Sequence, residues 1–286
     1  MHVPVLVKET LEYLNLKKGE NVVDATLDGG GHAKLFLEVI KPNGKVLGIE
    51  QDQKMIDALG LRVKGQDLWK NLIIAEGNFK DIVQIAQKNN FQPDVIFFDL
   101  GMSTWHLRES GRGFSFQKQD EVLDMRMSKN IELTAVEALN SFTSDKLAQI
   151  FKDYGEERKA YFLAKRIVEK RKLKKIFTVA DLIEVLGTDN PKTLARIFQA
   201  LRIFVNDEIN SLRKGIVGAF EILKNKGRII VLSYHSLEDR EVKIFFKQIE
   251  KEKKGKTLKK PIIPSLNEVR LNPSARSAKM RILWKI

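Results

Sequence analysis

Four short segments in the first hundred residues are apolar almost from end to end: NVVDATL, KVLGIE, NLIIAEG and DVIFFDLG. The first three are each followed by a stretch with helical spacing: HAKLFLEVI, a run from about Gln53, and DIVQIAQK. A strand with one wet face alternates apolar and polar residues, so strands without alternation are buried on both faces. Strand and helix in that rhythm build βαβ units, and the segments predict an α/β fold with a mostly parallel, Rossmann-like sheet.

The rhythm stops after Gly101. From about Leu107 to Phe204, LTAVEALNSF, SDKLAQIFKDY, ERKAYFLAKRIVEKR, TVADLIEVL and TLARIFQALRIFV all carry helical periodicity, which predicts an inserted all-helical domain. The strand pattern returns at GRIIVLSYHS, and AKMRILWKI predicts a last short strand. The expected division is 1–106 and 206–286 for the two parts of the sheet domain and 107–205 for the insertion. Between the last two strands, KEKKGKTLKKPIIPSLNE is basic and Pro-punctuated and reads as a mobile stretch.

No apolar run approaches a membrane span, so the chain is expected to be soluble, unsecreted and cytoplasmic. It contains no cysteine, which excludes disulfides, cysteine-ligated zinc, iron–sulfur clusters and thiol nucleophiles. The net charge is +13, and residues 240–286 alone hold 14 basic and 4 acidic residues. A polyanionic partner fits that bias, as does a solubilising surface.

Gly29, Gly30 and Gly31 follow the first strand, at the switch point where a doubly wound sheet binds its ligand. Glycine leaves no side chain between main chain and ligand. A dinucleotide fingerprint would need a third glycine where Lys34 stands, and no G-K-S or G-K-T phosphate loop is present. Asp24 lies in the first strand, and Glu50 ends the second, where a carboxylate can accept from both ribose hydroxyls. Phe79 follows the third strand as a platform for adenine or a core residue, and Asp99 ends the fourth. In that order these features describe a site for S-adenosyl-L-methionine (AdoMet).

The stretches HVPVLVKE, DATLDGGGH, GIEQD, FFDLGMST, RGFSF, LDMRM, YGEE, FQALRIFVNDE, SYHSLEDR and NPSARSAKMR go further. Through them the chain resembles, almost end to end, the MraW/RsmH family of bacterial 16S rRNA cytosine-N4 methyltransferases. The resemblance implies a Rossmann-like AdoMet-dependent methyltransferase domain with a helical substrate-recognition domain inserted after strand 4. It implies methylation of the exocyclic N4 of one P-site cytosine in the decoding region of 16S rRNA within the 30S subunit, with no metal required. AdoMet contacts carry over onto Gly30, Gly31, His32, Glu50, Phe79, Asp99 and the position of His106. Ser103-Thr104-Trp105-His106 stands where the family has S-S-P-Q, and Asp28 where it has glycine.

Methyl transfer from a sulfonium needs in-line alignment, a lone pair and a proton acceptor. Asp99 is the leading candidate for that acceptor, aided by Ser103; holding the cofactor is its other reading. Methylation at cytosine carbon 5 proceeds through a cysteine adduct, which this inventory forbids. His235 follows the fifth strand with catalysis, base contact and helix capping all open, while Glu238 and Asp239 read as structural caps. The target base must leave its stack, which predicts a flipped nucleotide between sheet domain and insertion. Trp105, Arg108 and Arg112 are the candidates to hold it, with Lys259, Lys260, Arg276, Lys279 and Arg281 on phosphates. The helix ERKAYFLAKRIVEKRKLKK has a basic face, and its apolar positions read as packing. The competing functions are a nucleotide-dependent oxidoreductase, opposed by Lys34, and an AdoMet-binding ribosome assembly factor without turnover.

Overall fold

The computed structural model describes residues 4–286, so His2 and Val3 of HVPVLVKE lie outside the described residues. The chain divides into two compact units: one runs up to Gly101 and resumes over Ile209–Ile286, the other is Met102–Glu208. The insertion therefore starts five residues before the expected 107 and ends three after 205.

The first unit opens with α1 (Val7–Leu14), then β1 (Val22–Asp24), α2 (Gly31–Ile40), β2 (Val46–Glu50), α3 (Gln53–Val63), β3 (Leu72–Glu76), α4 (Ile82–Lys88) and β4 (Val95–Asp99). The helical unit holds α5 (Thr104–Arg108), α6 (Ala135–Ser141), α7 (Ser144–Asp153), α8 (Ala160–Lys170), α9 (Val179–Leu186) and α10 (Pro191–Val205). The chain then completes the first unit with α11 (Glu208–Ile222), β5 (Arg228–Ser233), α12 (Ser236–Lys251), β6 (Gly255–Thr257), α13 (Leu266–Leu271) and β7 (Lys279–Lys285).

The seven strands lie in the order β3-β2-β1-β4-β5-β7-β6. β1 to β5 pair in parallel, and β7 runs antiparallel to both β5 and β6. Adjacent strand residues face opposite sides. Thus Val46 and Phe97 join Phe36 and Leu37 in one core, and Leu47 and Phe98 join Ile82 and Ile216 in the other. Burial on both faces holds for β1, β2, β4 and β5; β3, at the sheet edge, is half-buried and ends in exposed Glu76. At the amino ends of the strands, buried Arg228 forks onto both carboxylate oxygens of Glu20 at 2.9 and 2.6 Å.

The basic stretch expected to be mobile is instead built into the sheet. Its Gly255–Thr257 pairs with Leu283–Lys285, and Ile262 exchanges two backbone hydrogen bonds with Met280. β7 leaves an unpaired edge, and a short segment with few apolar residues fills it because backbone groups supply the pairing.

In the helical unit one core gathers Leu139, Phe151, Leu163, Ile167, Leu182, Ile197 and Leu201 from successive helices. Five of its helices carry side-chain N-caps, Ser103, Thr134, Thr143, Thr178 and Asn190. The segment between α5 and α6, which contains RGFSF and LDMRM, is irregular. It is tied down by Asn206, whose Oδ1 accepts from the Met127 N–H at 2.7 Å and whose Nδ2 donates to the Met125 carbonyl at 2.8 Å.

Candidate active site at the carboxyl ends of the strands

β1 lies between β2 and β4, so the switch point falls at its carboxyl end, where four acids gather. Asp24 is 1% exposed; its Oδ1 accepts from the Thr26 N–H at 3.3 Å, and its Oδ2 is buried without a hydrogen-bond partner in the protein. Burial, with the nearby charges of Asp99 and Glu50, pushes the Asp24 carboxyl well above its ordinary range, although the Thr26 N–H pulls the other way. Asp28, in left-handed backbone at φ 45°, is likewise raised by burial and then by Glu50, Asp99 and Asp24. Glu50 accepts from the Asp52 N–H at 2.8 Å and the Asp28 N–H at 3.0 Å, tying the loop after β1 to the end of β2.

Asp99 is 5% exposed. Its N–H donates to Thr26 Oγ1 at 2.7 Å, and its Oδ1 accepts from the Gly101 N–H at 3.3 Å. His32, buried in the first turn of α2, faces it and packs on Phe97 with ring centroids 4.5 Å apart. The Tyr234 hydroxyl is also buried beside Asp99, and its ionisation is pushed far up by burial first and then by the Asp99 charge.

The glycine run has a different local reason from the expected one. Gly30 sits at φ 73°, and a Cβ there would come 3.1 Å from the Trp69 ring and 3.2 Å from Leu59. At Gly31 a Cβ would meet Pro4 at 3.0 Å. The missing side chains make room for the protein itself, and what the turn offers a ligand is main chain at the start of α2. Phe79 is half-buried, edge-on to Phe98 at 5.6 Å, and close enough to α11 that a Cβ at Gly215 would lie 2.7 Å from its ring.

His235 has the capping role among the three left open. It is the N-cap of α12 in a reciprocal box with Glu238: Nδ1 accepts from the Glu238 N–H, and Glu238 accepts from the His235 and Tyr234 N–H groups. His235 Nε2 also lies 3.0 Å from Glu238 Oε1. Asp239 caps nothing by its side chain; it takes Arg281 at 2.6 Å and Lys279 at 3.3 Å. Burial works against the Asp239 charge, but those two cations outweigh it and hold its carboxyl below the ordinary range.

Ser103, Trp105, His106, Arg108 and Arg112 belong to the helical unit. Buried Ser103 caps α5 by accepting from the Trp105 N–H at 3.3 Å. Buried His106 packs between the Trp105 and Phe114 rings, each 5.2 Å away. The Arg112 guanidinium lies over Trp105 at 5.6 Å and donates to the Arg126 carbonyl at 2.9 Å, whereas Arg108 is exposed. Lys259, Lys260 and Arg276 are exposed. Lys259 and Arg281 line a groove of about 280 Å³ with Lys243, Lys247 and Glu250. Sequence reasoning missed Thr26 and Tyr234, the two side chains that bracket Asp99. The position of Tyr234, between the last residue of β5 and the cap of α12, was a signal for the latter.

A parallel sheet in this strand order, with β7 alone reversed and acids at the strand ends, defines an AdoMet-dependent methyltransferase fold. Its cofactor is AdoMet, and the residues fit it: a buried carboxylate oxygen without a partner, amid three further acids, suits a ligand with a sulfonium and an ammonium group. The chain belongs to the MraW methylase family, whose model matches residues 1–286. It is 43% identical to the ribosomal RNA small subunit methyltransferase H of Dictyoglomus turgidum, covering 99% of this chain and 96% of that one. It is 38% identical to the protein of that name from Clostridium botulinum strain Loch Maree, covering 100% and 99%. A solved methylase structure from Clostridium thermocellum superposes over 100% of both chains with a TM-score of 0.50 at 12% identity, which shows the fold alone. Among the described residues no helix is long and apolar enough to cross a membrane.

Proposed function

We propose that this protein methylates the exocyclic N4 of a decoding-region cytosine in 16S rRNA, with the 30S subunit as its working substrate in the cytoplasm. The observation that carries the reading is Asp99: a buried carboxylate at the switch-point end of β4, fixed through Thr26, Gly101 and His32. The names of the small-subunit relatives support the RNA class.

Bound AdoMet supplies an electrophilic methyl group. Glu50 would accept from the ribose, the Asp24 carboxylate would take positive charge at the methionyl end, and the amides at the start of α2 would hold its carboxylate. Phe79 would border the adenine. Asp99 accepts a hydrogen bond from the cytosine amine, which concentrates its lone pair, and takes the proton released on transfer. The transfer is direct, because carbon-5 chemistry needs a thiol nucleophile and the chain has no cysteine.

The test is methyl transfer with purified 30S subunits lacking the modification. Nucleoside analysis that finds N4-methylcytidine in 16S rRNA supports the reading, and a methyl group on any other atom removes the role given to Asp99.

A further inference from the structure

Helix α8 carries a face that methyl transfer leaves unused. Ala160, Leu163, Ala164 and Ile167 fill its inward positions and belong to the helical core. Tyr161 and Phe162 were expected to pack with them, but they fall off that stripe and stand 63% and 61% exposed. Two large rings side by side in water mark a contact surface rather than a packing remnant.

Their surroundings say what kind of contact. Residues 158–175 hold nine basic residues against the single acid Glu169. Three of the nine have duties in the fold: Arg171 donates to the Leu139 carbonyl, Lys174 pairs with Asp181, and Arg166 packs on Gly187. Arg158 and Lys159 are exposed just before α8 begins, and Lys165 is exposed three and four residues after Phe162 and Tyr161, the spacings that put it on their side of the helix.

We propose that this face of α8 docks unpaired RNA, with Tyr161 and Phe162 stacking on bases and Arg158, Lys159 and Lys165 meeting the flanking phosphates. The inference rests on the reading that the substrate is RNA. Aromatic side chains stack on any exposed base, and cations beside them track the backbone without reading sequence. A second copy of the chain would bring the same positive face against this one, which charge repulsion opposes.

The experiment measures binding of the full-length protein to a labelled single-stranded oligoribonucleotide and to 16S rRNA, without turnover. Y161A/F162A is expected to weaken binding at least about tenfold, with melting temperature and AdoMet affinity unchanged. Tyr161→Trp keeps the affinity, and its indole fluorescence is quenched as RNA binds. Lys165→Ala, a surface change on the same face, lowers the slope of log affinity against log salt by about 0.7. Equal RNA affinity of Y161A/F162A and the unaltered protein overturns the proposal, as does a loss of self-association in that variant with RNA binding intact. An RNA-binding loss in Y161A/F162A when even the unaltered protein forms no N4-methylcytidine supports the docking face and refutes the methylation reading alone.

Discussion

His32 Nδ1 lies 3.6 Å from Asp99 Oδ2, with both side chains 6% exposed. The histidine is fixed in turn against Phe97, and the aspartate through Thr26 and Gly101. A carboxylate met at both oxygens, by the Gly101 N–H and by His32, on a main chain anchored by Thr26, is oriented before substrate arrives, the condition under which a proton acceptor is most effective. Asp99→Asn keeps the shape and removes the acceptor. It is expected to lower kcat by about 10²–10⁴-fold while AdoMet affinity, read by calorimetry, stays within a few-fold. A variant that loses AdoMet and keeps kcat would make Asp99 a cofactor ligand only.

Glu50 joins two loops by accepting from the Asp28 and Asp52 N–H groups, and the proposed function gives it the ribose hydroxyls as well. Glu50→Gln is expected to weaken AdoMet binding by about 1.5–3 kcal/mol, the range for a charge-assisted hydrogen bond. Glu50→Ala should also lower the melting temperature of the cofactor-free protein, because the Asp28 and Asp52 N–H groups lose their acceptor. Calorimetry and thermal unfolding of the two variants separate those contributions.

Asp24 gives the site a pH dependence with a definite sign. Its folded carboxyl titrates well above the ordinary range, chiefly through burial, so the folded chain binds that proton more tightly than the unfolded one. The stability it lends is complete below the unfolded value of about 4 and is lost as pH rises through the raised folded value. Asp28 has the same sign. The cofactor-free protein should therefore lose stability from weakly acid pH upward, and Asp24→Asn should flatten the curve and melt above the unaltered protein at alkaline pH. The same variant binds cationic AdoMet more weakly. Parallel melting curves against pH would contradict this account.

Asn206 closes the irregular segment of the helical unit with bonds to Met125 and Met127, and is 5% exposed. Asn206→Ala leaves a buried carbonyl and a buried N–H to find new partners and is expected to destabilise that unit by roughly 2–4 kcal/mol. Chemical denaturation followed by a probe in the helical unit checks it.

What was legible in the sequence followed from burial pattern. β1, β2, β4 and β5 show uninterrupted apolar runs because both faces of the sheet are covered, and α6 to α10 show their inward stripes. β6 was not legible, since three residues of GKT pair through backbone and bring no hydrophobic signature. Tyr161 and Phe162 were misread because periodicity marks which positions are apolar but not which lie beyond the edge of the stripe. At the site, the order of glycines and acids was readable from the chain. The reason for Gly30 was not, because Leu59 and Trp69 reach it from positions 29 and 39 residues further along the chain.

The central claim is transfer to N4 of a cytosine in 16S rRNA, and the direct measurement incubates labelled AdoMet with 30S subunits lacking the modification and, in parallel, with protein-free 16S rRNA. Mass-spectrometric mapping is predicted to find a single N4-methylcytidine in the decoding region of the 30S sample. AdoMet binding without transfer to either substrate would contradict the account and leave a cofactor-binding assembly factor in its place.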